Sequence, residues 1–175
     1  MLFRSSGRDD RRVVSLQTTK TQFKVGRDLI GVTVSSTQPG FLYLLMVGSD
    51  GKTFDMLFPN KIDSQNEIRA GEPVKLPRFS WQVKAGGPAG KNHLLAIVAD
   101  APRDFSQLGM KGVGPFSIVE ANPVSGQEIQ RVSATPASAT RAECADDAKR
   151  IRNLIVQKRC SGAYGAAMAV IEEVD

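Results

Sequence analysis

The stretch from Gly40 to Asn60, GFLYLLMVGSDGKTFDMLFPN, restricts the fold more than any other. Two strand-like runs flank the dipeptide Asp50-Gly51. Asp-Gly in that position marks a β-hairpin, because a type I′ turn needs φ > 0 at both central residues. A two-residue loop pairs Ser49 with Lys52, and a register follows. Val47 opposes Phe54, Leu45 opposes Met56 and Tyr43 opposes Phe58 on one face. Met46 opposes Asp55 and Leu44 opposes Leu57 on the other. The first face is wholly apolar and is expected to be the core side; the second is mixed and is expected to be half covered. The hairpin argues for a β-rich domain and says nothing about a reaction.

The flanking chain repeats the pattern. Residues 1–12 read as a disordered arm, and Val13 to Gln17 as a short edge strand. In Asp28–Ser36, Ile30, Val32 and Val34 alternate with more polar neighbours, which is the period of a half-buried strand. Pro59-Asn60 ends the hairpin, since proline cannot donate to a ladder. Glu67–Arg69 and Val74–Leu76 are short strand candidates. Phe79, Trp81 and Val83 alternate with Ser80, Gln82 and Lys84 as a one-sided strand. His93 to Ala99 is apolar at every second position on both faces and reads as a central strand. Asp104–Leu108 suits one helical turn, and Phe116–Val119 a last short strand.

Composition shifts after residue 121. Residues 122–140, NPVSGQEIQRVSATPASAT, are small and polar with two prolines, and read as a linker or surface connection. Thr140 and Glu143 then fit a capping box. Cys144, Ala148, Ile151, Leu154 and Ile155 share one side at helical spacing, which predicts an amphipathic helix ending near Lys158. Tyr164–Val174 reads as a strand returning to the sheet, with a second helix left open by its Gly and Ala content. The expected fold is therefore mainly β: an antiparallel β-sandwich-like domain over 13–121, then a helix and a final strand over 141–175 that pack back on the sheet.

The chemistry of most enzyme classes has no residues to carry it. One histidine, His93, stands at a strand start, and a lone His without a positioned partner is more often structural than catalytic. A single His and two Cys assemble no zinc site of ordinary spacing. There is no G-x-S-x-G elbow, no phosphate-binding G-x-x-x-x-G-K-[ST], and no kinase signature. The adjacent pairs Asp9-Asp10, Asp146-Asp147 and Glu172-Glu173 point apart on strands and helices alike. The spacing Asp100 to Asp104 lacks the Gly and Glu of a calcium loop. No catalytic residue, metal site or cofactor is expected. A formal net charge of +5 is concentrated toward the chain ends, but no run interleaves it with aromatic residues, so a solvated surface is expected and not a nucleic-acid footprint. No apolar run reaches the ~20 residues of a membrane span, and the start does not fit a signal peptide. Either the chain is cytoplasmic, or it is a piece of a longer protein with its targeting segment upstream.

Cys144 and Cys160 are the candidate disulfide pair, and they carry a conflict. An exported domain favours a bridge. A continuous helix between them would hold the two about 24 Å apart at ~1.5 Å per residue, where a bridge needs Cα atoms within ~7 Å. Either the helix is short or broken, or the thiols are free.

A series of motifs in order resembles one family. Phe23-x-Val25-Gly26-x-x-Leu29, Gly40-Phe41-Leu42-Tyr43-Leu44-Leu45, Ser49-Asp50-Gly51, Leu57-Phe58-Pro59-Asn60, Asn66-x-Ile68-x-Ala70-Gly71-Glu72, Leu76-Pro77, Gly87-Pro88-x-Gly90 and Leu94-Leu95-Ala96-Ile97 are similar to the DUF4384 family over about residues 22–100. The resemblance implies a bacterial module often placed C-terminal to Ser/Thr kinase or caspase-like domains, and brings no catalytic residues. The expected role is a non-catalytic sensor or protein-interaction module of an envelope signalling protein, such as the C-terminal domain of a membrane-anchored Ser/Thr kinase. The alternative is a structural component or adaptor of a secretion system. A protein partner or self-association is expected, in the periplasm, with no nucleic acid and no membrane span in this chain.

Overall fold

The computed structural model describes residues 8–137 and 161–175. Among them, eleven strands form two sheets. The small sheet has the order β1-β3-β7, from Val14–Thr18, Val32–Ser36 and Val74–Leu76, all antiparallel. The large sheet has the order β2-β11-β8-β4-β5-β10-β9. Its strands are Gln22–Lys24 (β2), Tyr164–Val174 (β11), Gly90–Ala99 (β8), Gly40–Val47 (β4), Thr53–Phe58 (β5), Phe116–Glu120 (β10) and Lys111–Val113 (β9). Glu67–Ile68 (β6) pairs with the start of β4. A 3-10 turn, Phe105–Leu108, and one helix, Pro123–Ser133 (α1), complete the described elements.

β8 lies at the centre, between β4 and β11. Its apolar residues face both ways, so both sides of the large sheet are covered. Leu94, Ala96 and Val98 join Leu42, Leu44, Phe58, Trp81, Ile171 and the small-sheet residues Val32, Val34 and Leu76 in the core between the sheets. Ile97 and Ala99 join Tyr43, Leu45, Met56 and Tyr164 on the opposite side, under Phe105, Ile129 and Val132. Two layers and a helical cap thus enclose two cores. The face expected to be half covered is the one buried against the small sheet.

The main hairpin keeps its expected register at three pairs, Leu45 with Met56, Met46 with Asp55 and Val47 with Phe54. It departs from expectation twice. The turn is not type I′: Gly51 N donates to Gly48 O (2.9 Å) across Ser49-Asp50, Gly51 takes φ 64°, and Asp50 stays outside the left-handed region. Near the other end the register shifts between Leu44 and Leu45, so Phe58 opposes Leu44 and not Tyr43. The extra residue, Leu57, turns Phe58 over, and both side chains enter the inter-sheet core. A bulge does this by setting two residues against one. It frees Tyr43 to meet Phe105, with ring centroids 5.0 Å apart.

Other expectations also change. Of the arm expected over residues 1–12, residues 1–7 lie outside the described residues and 8–12 are part of the fold. Asp9 N bonds Tyr164 O (2.8 Å), and buried Arg12 donates to Pro39 O (2.7 Å) and Gln38 O (3.1 Å) and pairs with Asp100. The polar stretch after residue 121 contains α1. Asn122 accepts from Ser125 N (2.9 Å), Ser125 Oγ accepts from Asn122 N (3.0 Å), and Pro123 occupies the first turn, where its missing N–H costs nothing. Its prolines bracket a helix instead of interrupting one, and Ile129 and Val132 supply a narrow apolar side. The stretch from Phe79 to Val83 is a loop; Trp81 and Val83 are buried but Phe79 is not. The amphipathic helix expected over 141–158, with Cys144 and Cys160, lies outside the described residues. The final strand is present as β11, antiparallel to β8 and parallel to β2.

Two outcomes follow from this packing. Leu45 is 1% exposed, so Leu45→Ala should lower the unfolding free energy by about 2–5 kcal/mol in a denaturant titration. A chain ending at residue 160 would leave β8 as an open edge and β2 without its pairing strand; it should lose cooperative melting followed by circular dichroism.

Candidate functional site

Four strands bring their side chains into register on the helix-bearing side of the large sheet. Phe54, Val47, His93 and Val170 make one row across β5, β4, β8 and β11, and Met56, Leu45, Leu95 and Met168 make the next. Alternation along each strand puts all eight on one face. α1 covers the β4–β5 half. Its Gly126 faces the Phe54 ring, whose Cζ lies 4.0 Å from where a Cβ would stand, an ordinary packing distance. Among the described residues no element covers the β8–β11 half, where Met168 is 51% and Val170 49% exposed.

The result is an apolar cleft of about 260 Å³ between α1 and the strands. Leu45, Val47, Phe54, Leu95, Ile129 and Met168 supply its walls, and the polar side chains of the lining are His93 and Gln130. A site this small and this apolar suits one or two inserted side chains better than a drug-sized cofactor, whose pockets run to ~300–1,000 Å³. His93 is the one expected-minor residue that the fold brings to the cleft. Sequence reasoning missed the site itself. The signal that could have found it is the spacing Ala166, Met168, Val170 on the final strand, matched by Leu95 and Val47 on its neighbours.

The remaining polar clusters have structural explanations. Buried Arg103 donates from Nε to Ser133 O (2.8 Å), from Nη1 to Ala101 O (2.9 Å) and from Nη2 to Ala163 O (3.1 Å). It therefore holds the end of α1 to the ends of β8 and β11, where the negative end of the helix dipole suits its charge. Burial lowers its pKa to about 10, so it stays cationic at neutral pH. The Tyr43 hydroxyl accepts from Arg103 N (2.7 Å) and fixes the same corner. Glu172 and Glu173 separate as neighbours on a strand must. Glu172 accepts from Gln22 Nε2 (2.9 Å), while buried Glu173 accepts from Gly87 N (2.6 Å) and Asn92 Nδ2 (2.5 Å). Asp104 caps the 3-10 turn through Ser106 N (3.0 Å). Among the described residues no group of three His, Cys, Asp or Glu is placed to hold a metal ion.

Residues 22–102 match the family model DUF4384, a domain of unknown function. No curated protein and no solved structure matches the chain. The DUF4384 span runs from β2 through β8 and a few residues beyond. It includes the main hairpin and most of the inter-sheet core. It leaves out β1, β10, α1 and β11, and so half of the cleft. β11 nevertheless lies between two strands of the DUF4384 span, β2 and β8.

Asp55 is the carboxylate in the least favourable setting. Its Oδ1 is buried with no hydrogen-bond partner, and burial pushes its pKa above the usual range, partly offset by a hydrogen bond to Thr53. A carboxyl with a raised folded pKa binds its proton more tightly in the folded state, so stability falls as pH rises from about 4 through the folded pKa. Asp55→Asn should therefore melt above the wild type at pH 7, and the difference should disappear below about pH 4.

Proposed function

We propose that this chain is a non-catalytic protein-interaction module of a bacterial envelope signalling protein, such as the C-terminal part of a membrane-anchored Ser/Thr kinase. One observation carries the reading: among the described residues, two rows of mostly apolar side chains end in an open cleft beside α1, with Met168 and Val170 half exposed. An apolar cleft flanked by a helix accepts side chains from a docking segment, whose removal from water supplies affinity without chemistry. The placement in an envelope protein rests on the family resemblance.

The test uses tagged chain expressed in its source bacterium. Wild-type protein should recover a specific partner; Met168→Glu and Val170→Lys, each at a half-exposed site and each checked for an unchanged melting temperature, should reduce recovery about tenfold or more. Purified chain should not turn over ATP. Turnover that survives repurification and is lost in His93→Ala would overturn the reading in favour of an enzyme, because His93 lines the same cleft.

A further inference from the structure

Four planar groups form a column that rises from the inter-sheet core to the surface. The Trp81 and Phe58 rings stack with centroids 6.3 Å apart and planes 7° from parallel. The Arg78 guanidinium lies 5.1 Å from the Phe58 centroid and 5.4 Å from that of Phe79. Phe79 is the outermost layer and is 79% exposed. One carboxylate pins the column. Buried Asp63 accepts from Arg78 Nε (2.7 Å) and Nη2 (2.9 Å), and from Trp81 Nε1 (3.1 Å). Arg78 also donates to Gln65 O. Asp63 is itself held by the Leu57–Asn60 motif: Asn60 Oδ1 accepts from Asp63 N (2.9 Å), and Asn60 N donates to Asp63 O (2.9 Å).

Because Arg78 and Trp81 both reach Asp63, the two residues between them are forced outward. Phe79 takes φ 60°, the one non-glycine in the left-handed region among the described residues. Cβ sterics disfavour that conformation, which glycine, asparagine or aspartate usually fill. A phenylalanine there is strained and yet buries little, so the fold itself gains little from its ring. Strain of this kind, held in place by over-determined neighbours, is a mark of a functional contact.

We propose that Phe79 is a stacking platform for an aromatic side chain of a protein partner. The inner face of its ring is occupied by a cation, which disfavours a second cation on the outer face and favours a neutral ring in offset or edge contact. The surface lies on the opposite side of the large sheet from the cleft, since Phe58 and Trp81 belong to the inter-sheet core. The inference rests on the interaction-module reading for the nature of the partner, and adds a second contact point to it.

The probe is N-acetyl-tryptophanamide, titrated into the full chain while the Phe79 ring signals and the backbone amide signals of Arg78 and Ser80 are followed by NMR. N-acetyl-leucinamide and methyl glucoside serve as comparators. The tryptophan amide should give saturable shifts at these three residues with a dissociation constant of about millimolar order, at least about threefold tighter than the leucine amide. Phe79→Gly should abolish the shifts at Arg78 and Ser80 and melt at or above the wild-type temperature. Absent shifts, equal shifts with the leucine amide, or a preference for the glucoside would each overturn the proposal. So would a fall in melting temperature of more than about 4 °C in Phe79→Gly, which would mean that the ring serves the fold. These readouts leave the cleft untouched. Failure of the interaction reading appears instead in partner recovery by the Met168 and Val170 variants.

Discussion

A strand that is apolar on both faces must be covered on both sides, and β8 imposes that condition on the whole molecule. Leu94, Ala96 and Val98 need one layer, Ile97 and Ala99 another. The small sheet meets the first need. α1 and the 3-10 turn meet the second. The hydrogen-bond needs of β8 are met by β4 on one edge and β11 on the other, so neither edge is left to pair with another chain. Arg103 ties the same corner together with bonds to the ends of β8, β11 and α1.

Among the described residues this covering is incomplete, and the cleft is what remains. α1 has only Ile129 and Val132 as large buried residues, and the described helix spans eleven residues. It caps β4 and β5 and leaves the β8–β11 half of the sheet with open apolar rows. Exposed Met168 and Val170 are therefore not scattered surface residues. They continue a buried row outward, as apolar patches used for binding commonly do. The Asp63–Arg78–Phe79 column has a different origin, in a carboxylate that two nearby residues both reach.

The family match and the topology divide the chain differently. The DUF4384 span supplies the strands that carry the inter-sheet core, but β11 enters that sheet between β2 and β8 from far along the chain. Strand pairing over such a separation closes a long loop at modest entropic cost, because that cost grows only with the logarithm of length. Residues outside the matched span are therefore as much a part of the sheet as those within it.

Several features were legible in the sequence because they depend on neighbours a few residues apart. The period of two in Val32–Ser36 and Phe54–Met56, the double-sided apolarity of His93–Ala99 and the final strand at Tyr164–Val174 are of this kind. So are three pairs of the main hairpin. The sequence also carried the ordered motifs of the family. What failed depended on contacts made across the fold. The bulge at Leu57 arises because two cores compete for the hairpin's side chains, which a local alternation rule cannot anticipate. Phe79 leaves its expected strand because Asp63, sixteen residues earlier by numbering, captures Arg78 and Trp81. Asn122 and Pro123 read as linker residues until Ile129 and Val132 have a sheet to cover. Local periodicity thus determined the strands and the β class. Which face each strand buries, where the chain leaves a cleft and which aromatic stands in solvent were decided by tertiary packing, because burial is a property of the assembled layers.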